Sequence, residues 1–204
     1  MIRLRKLYFV IIILLLFSGC KSLVNINYDE YIDSFKDGVY SFNPNGLRVI
    51  FGTGWGIITR YREFNEFQKR FAEYYKNETG EVIFFGYNQT KGIRVKATAN
   101  LYALQNKAYF DKILDFNSQE IALYNITYLY PQKYLILDLP KVSALQFVYE
   151  YKLNDTNSYI FDSWLVRNGN YNIRIDFWIK KDKYEAEKAY IRSIVDSIDF
   201  VNAN

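Results

Sequence analysis

Tyr171-Asn172-Ile173-Arg174-Ile175-Asp176-Phe177-Trp178-Ile179 is followed within a few residues by Lys183 to Ser197, and the hydrophobic period changes between them. In the first stretch apolar Ile173, Ile175 and Phe177 alternate with Arg174 and Asp176, the period of a strand with one buried face. From Lys183 the spacing becomes three and four, and Tyr184, Ala186, Ala189, Tyr190, Ile194 and Val195 gather on one side of a helix. Ser197-Ile198-Asp199-Phe200 then closes the domain. A strand that runs into a C-terminal helix of this kind predicts a helix folded back onto a sheet.

Working upstream, Asn168-Gly169-Asn170 is a hairpin turn joining Tyr171–Ile179 to a strand over Tyr159–Val166. Further strands are expected over Ala144–Leu153, Tyr134–Leu139 and Ile121–Tyr130. Glu81–Tyr87 and Gly92–Ala99 form a pair around the turn Asn88 to Lys91, with Arg94, Lys96 and Thr98 expected to face water. Gly38–Phe42 and Leu47–Phe51 flank Asn43-Pro44-Asn45-Gly46, a strong turn signal. Besides a short helix at Tyr28–Phe35 in the tether, two more helices are expected. Glu63–Asn77 carries an inward stripe of Phe64, Phe67, Phe71, Tyr74 and Tyr75, and Asn106–Phe116 turns Ala108, Phe110, Ile113 and Leu114 inward. The expected fold class is α+β, a central antiparallel sheet flanked by helices in an α/β/α sandwich, with residues 38–204 as a single domain.

The order of these elements resembles the PsbP/Mog1-like fold. Leu47–Phe51 followed by Trp55 is similar to that family's opening strand and Trp-bearing loop, with Gly52-Thr53-Gly54 where the family usually has Pro. Tyr171–Ile179, the Lys183–Val195 helix and Ser197-Ile198-Asp199-Phe200 are similar to its closing hairpin, helix and Ser-Ile-aromatic tail. The resemblance implies an antiparallel sheet with helices on both faces and a binding role, and it carries over no catalytic residue.

The N-terminus reads as an export signal. Arg3, Arg5 and Lys6 precede the apolar run Leu7–Phe17, and Ser18-Gly19-Cys20 ends it with small residues. At about 1.5 Å per residue that run is too short for a hydrocarbon core of about 30 Å. The ending resembles the lipobox of bacterial lipoproteins, with Phe17 where Leu is usual. The resemblance implies cleavage before Cys20, a diacylglycerol on its sulfur and often a third acyl chain on its amine. Residues 1–19 are then the signal peptide and residues 20–37 the lipidated Cys and its tether. Lys21 stands where some bacteria carry an Asp retention mark, so the outer membrane is the expected address where one exists.

Composition narrows the chemistry. The chain has 26 basic and 22 acidic residues, and the signal holds three of the basic ones and no acid, so the mature protein is close to neutral. This removes the charge argument for a nucleic-acid partner. Histidine is absent and Cys20 is the sole cysteine, which excludes Ser-His-Asp and Cys-His catalysis and most zinc sites. No metal or cofactor is expected beyond the acyl chains on Cys20. The 20 Tyr and 16 Phe are read as strand formers and core. Trp55, in the glycine-dense loop Gly52–Gly56, is the candidate ligand or partner contact, and plugging the end of the sheet is its competing role. Glu63 with Glu66, or Asp162 with Asp176, could serve as paired carboxylates if the fold brought them into one cleft. The expected function is a lipid-anchored cell-envelope protein, not an enzyme, with a binding or scaffold domain. Its partners would be the membrane through the anchor, and an envelope protein or small apolar ligand. A carrier of an apolar small molecule and a carboxylate-dependent envelope hydrolase are the alternatives.

Overall fold

A computed structural model describes residues 35–42, 46–76, 80–100, 127–129, 135–154, 157–168 and 171–201. The expected signal segment, most of the expected tether with its short helix, and the helix expected over Asn106–Phe116 lie outside them.

Asp37-Gly38 turns the first hairpin. Both residues have positive φ, 51° and 77°, the conformation a two-residue type I′ turn requires. The turn joins β1 (Phe35–Lys36) to β2 (Val39–Phe42), with Lys36 opposite Val39. This strand sits at the end of the stretch read as tether, and the Asp-Gly pair is the signal that marks it. β2 continues into β3 (Leu47–Ile50) with Phe42 opposite Leu47, as the Asn45-Gly46 signal predicts. The short C-terminal strand β12 (Asp199–Phe200) adds to β3 and completes a four-stranded sheet in the order β1-β2-β3-β12. Ser197 fastens this corner by accepting a hydrogen bond from the Ile50 amide at 2.8 Å and donating to the Ile194 carbonyl at 2.6 Å.

The large sheet is antiparallel throughout. Its strands are β4 (Trp55–Ile58), β5 (Glu81–Asn88), β6 (Ile93–Asn100), β7 (Thr127–Leu129), β8 (Leu135–Asp138), β9 (Ser143–Asn154), β10 (Asn157–Asn168) and β11 (Tyr171–Lys180). Their order is β4-β5-β6-β11-β10-β9-β7, with β8 also on β9. Asn168 lies opposite Tyr171, so β10 and β11 are joined by a two-residue connection where the turn was expected.

β11 runs directly into α2 (Lys181–Asp196), which lies on one face of this sheet. Ile191, Ile194 and Val195 are buried there with Ile173, Ile175 and Phe177 of β11 and Val95 and Ala97 of β6. The small sheet contributes Tyr40, Leu47 and Val49 to the same core. Burying each such side chain is worth about 1.5–3 kcal/mol. Ala186 and Ala189, expected in this interface, are exposed. Ahead of Ile191 the helix is held instead by hydroxyls, Tyr184 to Asp162 at 3.1 Å and Tyr190 to the Phe51 carbonyl at 3.2 Å.

α1 (Glu66–Lys76) packs on β5, where Phe64 and Ala72 meet Val82 and Phe85. It begins with a reciprocal cap. The Gln68 amide donates to Asn65 Oδ1 and the Asn65 amide donates to Gln68 Oε1, both at 2.9 Å. Of the predicted stripe, Phe64 is buried as expected but Phe67 is 75% exposed. Ala72 lies about 140° further round the helix than Phe67, and its small side chain lets the backbone approach the sheet. The second correction concerns β6. Lys96 and Thr98, expected to face water, are 5% and 2% exposed. The third concerns the layers: the described residues are mostly strand, in two sheets with two helices, rather than one sheet plainly sandwiched by helices.

Candidate functional site

The strand register builds a lattice of side chains on the sheet face opposite α2. Successive residues of a strand point to opposite faces, and directly paired residues share a face about 4.5–5.5 Å apart. One row therefore runs across five strands as Tyr87, Arg94, Trp178, Phe161 and Tyr149. Toward the strand ends lies a shorter row of Lys180, Tyr159 and Tyr151. In the other direction lies a row of Phe85, Lys96, Asp176, Ser163 and Phe147.

The rings stand on edge and stack along the sheet. Trp178 and Phe161 are 5.7 Å apart with planes 9° apart, Phe161 and Tyr149 are 5.0 Å and 12°, and Tyr149 and Phe147 are 6.0 Å and 11°. The Arg94 guanidinium lies 5.5 Å from the Tyr87 ring centroid, and Arg174 lies 5.2 Å from that of Phe147. Exposure is graded along the array. Tyr87 is 42% exposed, Arg94 and Lys180 are exposed, Trp178, Phe161, Tyr159 and Tyr151 are half-buried, and Tyr149 and Phe147 are buried.

The buried end is a polar cluster. Arg174 Nε donates to Asp176 Oδ1 at 2.6 Å, Ser163 Oγ donates to the same oxygen at 2.5 Å, and Lys96 Nζ lies 3.3 Å from Asp176 Oδ2. Arg174 Nη2 also donates to the Tyr149 hydroxyl at 3.3 Å. Burial works to raise the Asp176 carboxyl, but the charges of Arg174 and Lys96 and the Ser163 hydrogen bond outweigh it and hold it below the usual range. The carboxylate thereby ties three strands together, through Lys96 of β6, Ser163 of β10 and Arg174 of its own β11.

Asp162 occupies the other face, beneath α2. It pairs with Phe177 while Asp176 pairs with Ser163, so the two carboxyls point away from each other through the sheet. Gln146 Nε2 donates to Asp162 Oδ1 at 2.8 Å and the Tyr184 hydroxyl donates to Oδ2. Burial pushes the Asp162 carboxyl up despite these donors, and burial beside Asp162 pushes the Tyr184 hydroxyl up. The expectation that Asp162 and Asp176 could share a cleft is overturned by this geometry. Glu63 and Glu66 are exposed and pair with Arg60 at 3.7 Å and Lys69 at 3.2 Å, ordinary solvated ion pairs.

Trp55 takes the role of plug. It is buried, packs 5.1 Å from the Phe51 ring, and donates its indole N–H to the Tyr190 hydroxyl at 2.9 Å. A ligand reaching it would have to displace the loop from α2. Cys20 lies outside the described residues. Among the described residues no group of three or more His, Cys, Asp or Glu is placed to hold a metal ion. None of the described helices is long and apolar enough to cross a membrane.

Sequence reasoning missed the aromatic and basic face. Its signal was present strand by strand, as Tyr149 and Tyr151, Tyr159 and Phe161, and Trp178 and Lys180 at spacings of two. Reading the Tyr and Phe residues as plain core hid the half that reaches the surface.

No family model and no curated protein matches the sequence. Among solved structures, the chain is similar to CyanoP, the PsbP of the cyanobacterium Synechocystis. The TM-score is 0.59 at 11% identity, over 82% of this chain and 95% of that one. It is also similar to the Ran-binding protein Mog1p of Saccharomyces cerevisiae, with a TM-score of 0.48, 8% identity, and 83% and 97% coverage. A Bacteroides thetaiotaomicron protein gives 0.46, 13%, and 82% and 50%. The likeness to CyanoP shows the fold, which is PsbP-like as the order of elements predicts.

Proposed function

We propose that this chain is a lipid-anchored cell-envelope protein, held at Cys20, whose domain binds without catalysis through the exposed end of its aromatic and basic sheet face. The observation that carries the binding role is the graded array itself. Arg94, Lys180, Tyr87 and Trp178 meet solvent, with Trp178 stacked on Phe161 and the Arg94 guanidinium beside the Tyr87 ring. A preorganised surface loses little side-chain entropy on binding. The anchor rests on the signal segment and on the position of the sole cysteine. The ordering of the acids supports a non-catalytic reading, since Asp176 is locked in its ion cluster and Asp162 is on the opposite face.

Native mass spectrometry of protein extracted from its own membranes tests both parts. The expected mass is that of residues 20–204 plus acyl chains, with a bound adduct that the double variant Arg94→Ala, Trp178→Ala loses. An intact Met1 end contradicts the anchor. Adducts indifferent to the double variant contradict the face.

A further inference from the structure

Arg94, Lys180, Tyr87, Trp178, Tyr159 and Tyr151 form one contiguous patch by register, and neither of the two outer rows contains a carboxylate. Trp and Tyr are the rings that settle at the boundary between hydrocarbon and headgroups, and Arg and Lys beside them meet anionic headgroups. The stacking matters to the choice of occupant. Trp178, Phe161 and Tyr149 stack on one another, with planes within 12° of parallel between neighbours, and Trp178 and Phe161 reach the surface in part while Tyr149 is buried. Sugar rings and nucleobases bind aromatic side chains by their faces, and the faces between these stacked neighbours are already taken. An interfacial lipid layer needs only amphipathic rings and cations. The chain between Cys20 and Phe35 can extend to about 50 Å, enough slack for the domain to turn this patch toward the bilayer that holds it.

We propose that this patch is a second membrane contact, which lays the anchored domain flat on a bilayer of anionic phospholipid. The inference rests on the lipid-anchor reading. Three tryptophans report on it separately, because Trp55 and Trp164 are 7% and 1% exposed and buried in the core, while Trp178 is in the patch. The lipidated full-length mature protein is reconstituted into vesicles of phosphatidylglycerol or phosphatidylcholine carrying bromines on the acyl chains. Flotation reports the anchor and quenching of tryptophan fluorescence reports the patch.

The expected result is flotation with both lipids, and quenching in phosphatidylglycerol at least about twice that in phosphatidylcholine. Trp178→Phe should abolish the quenching. Arg94→Glu with Lys180→Glu should remove most of it without changing flotation. Arg94→Gln with Lys180→Gln, a milder pair, should halve it and serves if the charge reversals disturb folding. Flotation without quenching overturns the patch and leaves the anchor standing, as it would if an acidic protein were the occupant. Quenching that survives Trp178→Phe or both charge variants also overturns it. Failure to float removes the anchor and the inference together.

Discussion

Asp162 and Asp176 sit on neighbouring strands, and their carboxyls are shifted in opposite directions. Asp176 has a depressed carboxyl, so its contribution is present above the unfolded value of about 3.9 and is lost as pH falls through its folded value. Asp176→Asn leaves Arg174 and Lys96 facing a neutral group in a buried site, and it should cost about 3–5 kcal/mol at neutral pH. The deficit should shrink below about pH 4. Asp162 has a raised carboxyl, so its contribution is complete below the unfolded value and is lost as pH rises through its folded value. Asp162→Asn should therefore gain on the wild type as pH rises from about 4 to 7. Denaturant melts of the three proteins across pH check this, and parallel pH dependences for the two variants would contradict the assignment. Tyr190 permits a simpler test. It accepts from Trp55 and donates to the Phe51 carbonyl, so Tyr190→Phe strands two buried groups and should cost about 1–3 kcal/mol. A loss below a few tenths would place Trp55 in contact with water instead.

At the scale of elements, the short turns and caps carry much of the specification. Gly38 has φ of 77°, and a Cβ there would lie 2.6 Å from the Gly52 carbonyl oxygen. Gly38→Ala should thus cost more than about 1 kcal/mol, whereas Gly52→Ala meets no neighbouring atom and should cost only its positive φ. Asn65→Ala removes half of the reciprocal cap of α1 and should cost about 1 kcal/mol. Equilibrium unfolding measures all three. Most strands and both described helices were legible because alternation and three-four spacing are local properties. Face assignments were less so. The alternation of Arg94, Lys96 and Thr98 with Ile93, Val95 and Ala97 shows that the two faces of β6 differ, but not that the polar one is covered. Lys96 is buried because β11 supplies Asp176 opposite it, a partner 80 residues away in sequence. Phe67 fails for a related reason, since hydrophobicity alone does not reveal that Ala72 gives the closer approach to β5. The candidate site required the register of five strands at once, which no single strand encodes.

Over the whole molecule, the domain combines a rigid interior with one graded surface. The α2 side of the large sheet is closed by the small sheet and by the Ser197 corner. The opposite side runs from a buried ion cluster through stacked rings to an exposed end with two cations. In the function proposed above, the exposed end is the binding surface and the lipid anchor at Cys20 would hold it near a membrane. Side-chain footprinting of the anchored protein on phosphatidylglycerol vesicles, against the same protein in detergent, tests this most directly. Tyr87, Tyr159 and Trp178 should lose most of their labelling on the vesicles, while Ile50, exposed on the small sheet, keeps its own. Unchanged labelling at Tyr87 and Trp178, or protection centred on Ile50, would contradict the account.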